Sequence, residues 1–110
     1  MMAKATYVQA GKKLDYPNGT ATAIEAGDII ALKTRVGVAA CDILPGEVGT
    51  VCMDGAFKMP KTGTAAIEMG AAVYFDGTGI TNTSTSNTLA GYAAAAAAAA
   101  DTEILVNLLG

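Results

Sequence analysis

Few residues of this chain have types and spacings that suit covalent chemistry, and each reads better as something else. There is no histidine anywhere in the 110 residues, which removes the commonest general acid–base at neutral pH. Ser84 and Ser86 stand inside the polar run 81–88 (TNTSTSNT), with no imidazole to activate them. Cys41 and Cys52 are too few and too unpatterned for a disulfide scaffold or a zinc site, and read as buried reduced thiols. The carboxylate pairs Glu25 with Asp28 and Asp42 with Glu47 fall at turn positions, where acids ordinarily serve as solvated turn formers. Lys12 follows Gly11 as in a phosphate-binding loop. That motif needs a glycine five residues before Gly11 and a Ser or Thr after the lysine, and Thr6 and Lys13 stand there instead. The chain is therefore expected to have no catalytic residues, no metal and no cofactor, and not to be an enzyme.

Lys58 is the one lysine with a sharper precedent. Phe57-Lys58-Met59 resembles the Met-Lys-Met hairpin of biotinyl carrier domains, in which a lysine at an exposed hairpin tip is modified to carry a cofactor. Here the turn dipeptide Asp54-Gly55 lies three residues earlier and Pro60 follows at once, so Lys58 reads as a strand residue with its ammonium in water. Bulk charge points away from nucleic acid: seven Lys and Arg against ten Asp and Glu give a net −3, without the clustered cations that hold phosphates. Outside the alanine tract nothing approaches the ~18 apolar residues of a membrane span, and the N-terminus lacks a signal-peptide pattern. No nucleic acid and no membrane partner are expected, with synthesis in a cytosol-like compartment.

Charged residues make up only 15% of the chain, against roughly 25% in ordinary soluble domains. The 52% hydrophobic content is inflated by 23 alanines. So little charge leaves neutral faces that must end against something else, which points to oligomerisation or docking.

The elements that position these residues read as strands. Thirteen glycines and thirteen threonines among short Val/Ile/Leu runs predict an all-β fold. It would be a small β-barrel or sandwich of about eight to ten short strands with at most one helical turn. The expected strands are 12–16, then 20–24 returning across Pro17-Asn18-Gly19, 28–33, 35–40, 48–53 and 56–59 across Asp54-Gly55, 73–76, 79–82, 88–94 and 103–109. Residues 64–68 could make one helical turn. Residues 1–9 read as an N-terminal arm or edge strand, and 10–110 as one barrel domain. The eight alanines from 93 to 100 read as a strand continuing into a loop.

One pattern recurs: an apolar residue, two residues, glycine, one residue, then a strand. It is seen in Ile24-Glu25-Ala26-Gly27-Asp28-Ile29, Ile43-Leu44-Pro45-Gly46-Glu47-Val48 and Ile67-Glu68-Met69-Gly70-Ala71-Ala72. Each copy predicts a chain reversal over a packed anchor, with glycine at a corner of positive φ. Gly19, Gly27, Gly46, Gly55 and Gly70 are the expected turn glycines. Similar strands follow the first and third copies, so two related halves are expected near 20–59 and 63–110.

Several segments, in order, carry a resemblance to a known family: Ala3-Lys4 with Tyr7-Val8-Gln9-Ala10-Gly11; Asn18-Gly19-Thr20; Ile24-Glu25-Ala26-Gly27-Asp28; Val36-Gly37-Val38-Ala39; Gly46-Glu47-Val48-Gly49-Thr50-Val51; Gly55-Ala56-Phe57-Lys58-Met59-Pro60-Lys61; Gly70 to Asp76; and Asn87-Thr88-Leu89-Ala90-Gly91-Tyr92-Ala93. Together they resemble a small phage-encoded family of capsid decoration, or cement, proteins, some of whose members are mislabelled as recombinases. The resemblance spans nearly the whole chain and departs mainly at the alanine tract. It implies a β-barrel homotrimer on the outer surface of a phage head, made in the host bacterial cytoplasm, with the major capsid protein as partner. Ala3, Lys4, Ala5, Thr6 and Tyr7 are the expected capsid-contact arm, a polar segment suited to adding as a strand to a capsid edge. The rival readings are a head-completion or other virion-associated adaptor and, further off, a small-ligand module.

Overall fold

The computed structural model describes residues 3–6, 12–62 and 64–109, the side chain of Leu109 excepted. Nine strands are present among them and no helix: β1 (Lys13–Pro17), β2 (Ile29–Ala31), β3 (Val36–Ala39), β4 (Val48–Cys52), β5 (Asp54–Pro60), β6 (Ala72–Phe75), β7 (Ile80–Thr81), β8 (Thr88–Ala93) and β9 (Glu103–Leu109). They form two antiparallel sheets, ordered β1-β4-β3-β2 and β5-β9-β8-β6-β7. The all-β class holds, and its sandwich form is the one observed. Neither sheet closes into a barrel; the nearest approach is a single parallel bridge from Lys61 to Ile80, which tethers β7 to the end of β5.

Strand periodicity explains the core. In β9, Ile104, Val106 and Leu108 are buried while Glu103 and Leu105 face out, the alternation a one-sided strand requires. Their cross-strand partners Met59 and Phe57 point the same way, joining Val73, Ile80, Ala93 and Ala97 in the larger apolar cluster. Val36 and Val38 of β3 also enter this cluster, so β3 docks the first sheet onto the second. The first sheet's other face holds a smaller core of Ile30, Ala39, Ile43, Val51 and Met53. Space there is tight: a Cβ on Gly49 would run into Ile43. The same holds at Gly91, where a Cβ would meet the Asn107 carbonyl of the neighbouring strand.

The two sheets are copies of one topology. β1, β4, β3 and β2 occupy the places of β5, β9, β8 and β6, and β7 is an addition. The hydrogen bonds repeat as well. Ile24 and Ile43 exchange two backbone bonds, and so do Ile67 and Ala97. Gly27 N–H donates to Ala39 O as Gly70 N–H donates to Ala93 O, and Ala40 N–H to Thr50 O as Ala94 N–H to Leu105 O. The halves are thus 12–53 and 54–109 rather than 20–59 and 63–110, because β1 belongs with β4 and β5 with β9.

Three further expectations are corrected. Residues 20–24 are not the return strand of β1; β1 pairs with β4, and only Ile24 bridges, to Ile43. β4 and β5 do not pair across Asp54-Gly55: Met53 N–H donates to Lys12 O, and Gly55 at φ 103 turns the chain into the other sheet. Residues 64–68 make no helical turn, since Ile67 is held in its bridge. Gly27, Gly46 and Gly70 take positive φ of 91, 82 and 88 at the repeated corner. Gly19 has no such φ, because the Asn18 side chain closes that bend: its Oδ1 accepts from Thr20 N–H at 3.0 Å.

The alanine tract resolves into a fourth copy of the reversal. Ala93 ends β8, Ala97 takes the anchor position against Ile67, and Asp101 N–H closes the turn onto Ala98 O. Asn18 and Lys61 are the two buried polar residues among the described residues, 1% and 8% exposed, and they are repeat equivalents after Pro17 and Pro60. Asn18 Nδ2 donates to Ile43 O and to Thr22 O, both at 2.9 Å, and Lys61 Nζ donates to Ala99 O at 3.3 Å. Replacing Asn18→Ala removes its bonds to Ile43 O, Thr22 O and Thr20 N–H at a buried position, so a loss of about 1–3 kcal/mol of unfolding free energy is expected in urea titrations; an unchanged midpoint would contradict this role.

Candidate functional site

The residues that suited chemistry are not gathered by the fold. Cys41 is exposed, a correction to its expected burial, while Cys52 is half-buried, and both are free thiols. Ser84 and Ser86 sit exposed in the segment between β7 and β8. Lys58 is exposed in the middle of β5, opposite Leu105 of β9, and not at a hairpin tip. Among the described residues no group of three or more potential metal ligands is assembled. Two clefts of about 540 and 450 Å³ open where the 24–28 turn and β2 meet β5. Their ionisable groups are Tyr16 and Asp28 in one, Cys52 and Lys58 in the other. Neither set makes an acid–base pair with a positioned nucleophile.

The carboxylates do structural work at turns. Asp28 Oδ2 accepts from Glu25 N–H at 3.0 Å, Asp101 Oδ2 from Ala98 N–H at 2.8 Å, and Glu47 Oε1 from Leu44 N–H at 3.3 Å. Asp42 Oδ1 joins two reversals by accepting from Ala26 N–H at 2.8 Å. Asp76 holds the turn between β6 and β7. Its carboxyl lies below the ordinary value of 3.8, first because Thr62 Oγ1 donates to Oδ2, then because the Gly79 and Thr78 amides donate to Oδ1.

What the surface does offer is uncovered apolar area. Leu14, Leu44, Val48, Met69, Tyr92 and Leu105 are exposed large hydrophobics. Tyr92 and Leu105 lie on the outward face of the second sheet with Lys58 and Asn107. Leu44 and Val48, 53% and 65% exposed, flank one repeated turn, and Met69, at 72%, sits on another. Turn positions are usually polar, and Glu25, Glu68 and Ala98 occupy the place of Leu44 in the other copies. That contrast was available in the sequence once the copies were aligned. Ala3, Lys4, Ala5 and Thr6 are exposed and outside any strand; Tyr7 lies outside the described residues.

The family model for phage cement proteins matches residues 8–108. The chain belongs to the phage cement protein family. No curated protein and no solved structure matches it. Membership associates this cement protein with the bacteriophage capsid as a structural, capsid-stabilising component. Among the described residues no helix is long and apolar enough to cross a membrane.

The Asp76 turn of this cement protein carries a pH signature. A carboxyl held below its unfolded value stabilises the fold above that value, and the contribution fades as pH falls through the folded one. Asp76→Asn should therefore lower the melting temperature at neutral pH, with the gap to wild type narrowing below the ordinary carboxylate value of 3.8. A gap independent of pH would show that the ionised carboxylate is not what holds the turn.

Proposed function

We propose that the chain is a non-enzymatic virion protein that binds the outer surface of a phage head as a homotrimer and reinforces the shell. The observation that carries this reading is the cement-family match over residues 8–108. Supporting it are the sparse charge and six exposed large hydrophobics among the described residues, which suit a subunit interface and a docking face. The major capsid protein is the partner on the head. Ala3, Lys4, Ala5, Thr6 and Tyr7 act as the contact arm, adding as an extended segment to a capsid strand edge. Three arms on one trimer bind together, so modest affinity per arm becomes firm attachment. Synthesis takes place in the host cytoplasm before the protein meets the assembled head.

Purified protein added to undecorated heads should bind and raise their thermal stability, since a ligand of the intact shell favours that state. Removing residues 1–7 should weaken binding while leaving the circular dichroism melt unchanged. Heads that never take up the protein would refute the reading, and undiminished binding after truncation would remove the arm from it.

A further inference from the structure

The repeated halves act as a control within one molecule. A residue that the shared backbone requires should recur in both halves, whereas one kept for contact need not. Ala98, Ala99 and Glu103 in the second half occupy the places of Leu44, Pro45 and Val48; Val48 and Glu103 lie opposite the equivalent Pro17 and Pro60. The turn therefore folds without large apolar side chains, and Leu44 and Val48 are exposed for another reason. Around them the first half is also the more acidic. Glu25, Asp28, Asp42 and Glu47 gather on the two reversals joined by the Ile24–Ile43 bridge; Glu68 and Asp101 keep an acid at the places of Glu25 and Glu47 in the second half, and Ala71 and Ala96 replace Asp28 and Asp42.

Cations of the same half lie away from these turns. Lys33 and Arg35 occupy the loop that joins β2 to β3 at the end remote from the 24–28 reversal. Lys12 and Lys13 open β1, with Lys13 opposite Cys52 at the end of β4 far from Val48. Leu14 is exposed beside them, and Leu32 is half-buried in the loop. Gly55 and Ala56 stand for Lys12 and Lys13 in the second half, and the segment 76–87 that replaces the loop has no Lys or Arg.

We infer that the turn end of the first half, Leu44 and Val48 together with the carboxylates of its two bridged reversals, docks onto the Lys12, Lys13, Lys33 and Leu14 end of a second copy, head to tail. Each copy carries both sides of this match, which is why the occupant is the chain itself. A heterologous contact of this kind closes into a ring when its rotation permits, and three copies suffice. The inference rests on the trimer reading above and names the surfaces that make it. Opposed charges at exposed sites set partner and orientation more than strength, and their effect is screened by salt.

Sedimentation velocity on the full chain, without heads, tests it. Wild type should sediment as a multiple of 11.0 kDa, more weakly associated at high salt. The reversals Glu25→Lys with Glu47→Lys, and Lys13→Glu with Lys33→Glu, should each weaken association at least tenfold, and all four together should restore it. Leu44→Ala with Val48→Glu, which copies the second half, should also give monomer without lowering the melting temperature, and it stands as the test should a reversal fail to fold. A monomeric wild type, unchanged masses in the variants, or a quadruple variant that stays monomeric would overturn the inference. So would reversals that weaken only head binding, since the acidic end would then face the capsid. Head binding by a monomeric variant leaves the cement reading intact, so the two fail separately.

Discussion

Each half of the molecule hangs on two chain reversals tied together by a reciprocal pair of backbone hydrogen bonds, Ile24 with Ile43 and Ile67 with Ala97. A single bridge of two bonds contributes little by itself, on the order of 1 kcal/mol per bond. Its consequence is positional. It brings the start of β2 and the start of β4 to the same end of one sheet, and the starts of β6 and β9 to the same end of the other. Under each bridge sits an apolar anchor, and beside it a buried donor, the Asn18 amide in one half and the Lys61 ammonium in the other. The Asn18 amide adds a second bond to Ile43 O, which the bridge already holds, and the Lys61 ammonium donates to Ala99 O, so each donor ties the corner of a reversal to the end of a neighbouring strand.

This arrangement explains how a chain with so few large apolar residues keeps a fold. Two small cores share the work, one filled by Ile104, Val106, Met59 and Val73, the other by Ile43, Val51 and Met53. Alanine is used as a packing residue: Ala97 is buried where Ile43 stands in the first half, and Ala93 is buried like its equivalent Ala39. Because the turns need only their anchor and closing bonds, the side chains on their outer corners are free to vary. The first half spends that freedom on Leu44, Val48, Asp28 and Asp42, where the second has Ala98, Glu103, Ala71 and Ala96.

Much of this was legible in the residues. Strand positions follow from period-two alternation, most clearly in β9, where the expected 103–109 matches the observed bounds. The three Ile-x-x-Gly reversals announced themselves through glycine. The fourth did not, since Ala97 and Ala100 carry neither the branched anchor nor the glycine, and Ala100 turns without a positive φ. Pairing was the weaker inference. Pro17-Asn18-Gly19 and Asp54-Gly55 both look like hairpin tips, yet long-range partners outcompete the local ones: β4 claims β1, and β9 claims β5. Burial of Asn18 is not legible in the sequence, because an asparagine in a Pro-Asn-Gly run reads as an ordinary turn former. Its real partner, the Ile43 carbonyl, lies 25 residues away. The apolar turn was legible as a shortage of charge and, once the copies are aligned, as Leu44 standing where Glu25 and Glu68 stand, but exposure at Leu44 and Val48 depends on which side of a turn faces solvent.

The central claim, a decorating role on the head surface, is tested most directly by the number of copies per virion, measured by quantitative mass spectrometry against the major capsid protein. A cement protein should be present in a fixed high ratio to the capsid subunit, on the order of one copy for each, as surface coverage requires. A small fixed ring stoichiometry, unrelated to the capsid count, would contradict the account and place the protein at a single vertex or joint of the particle.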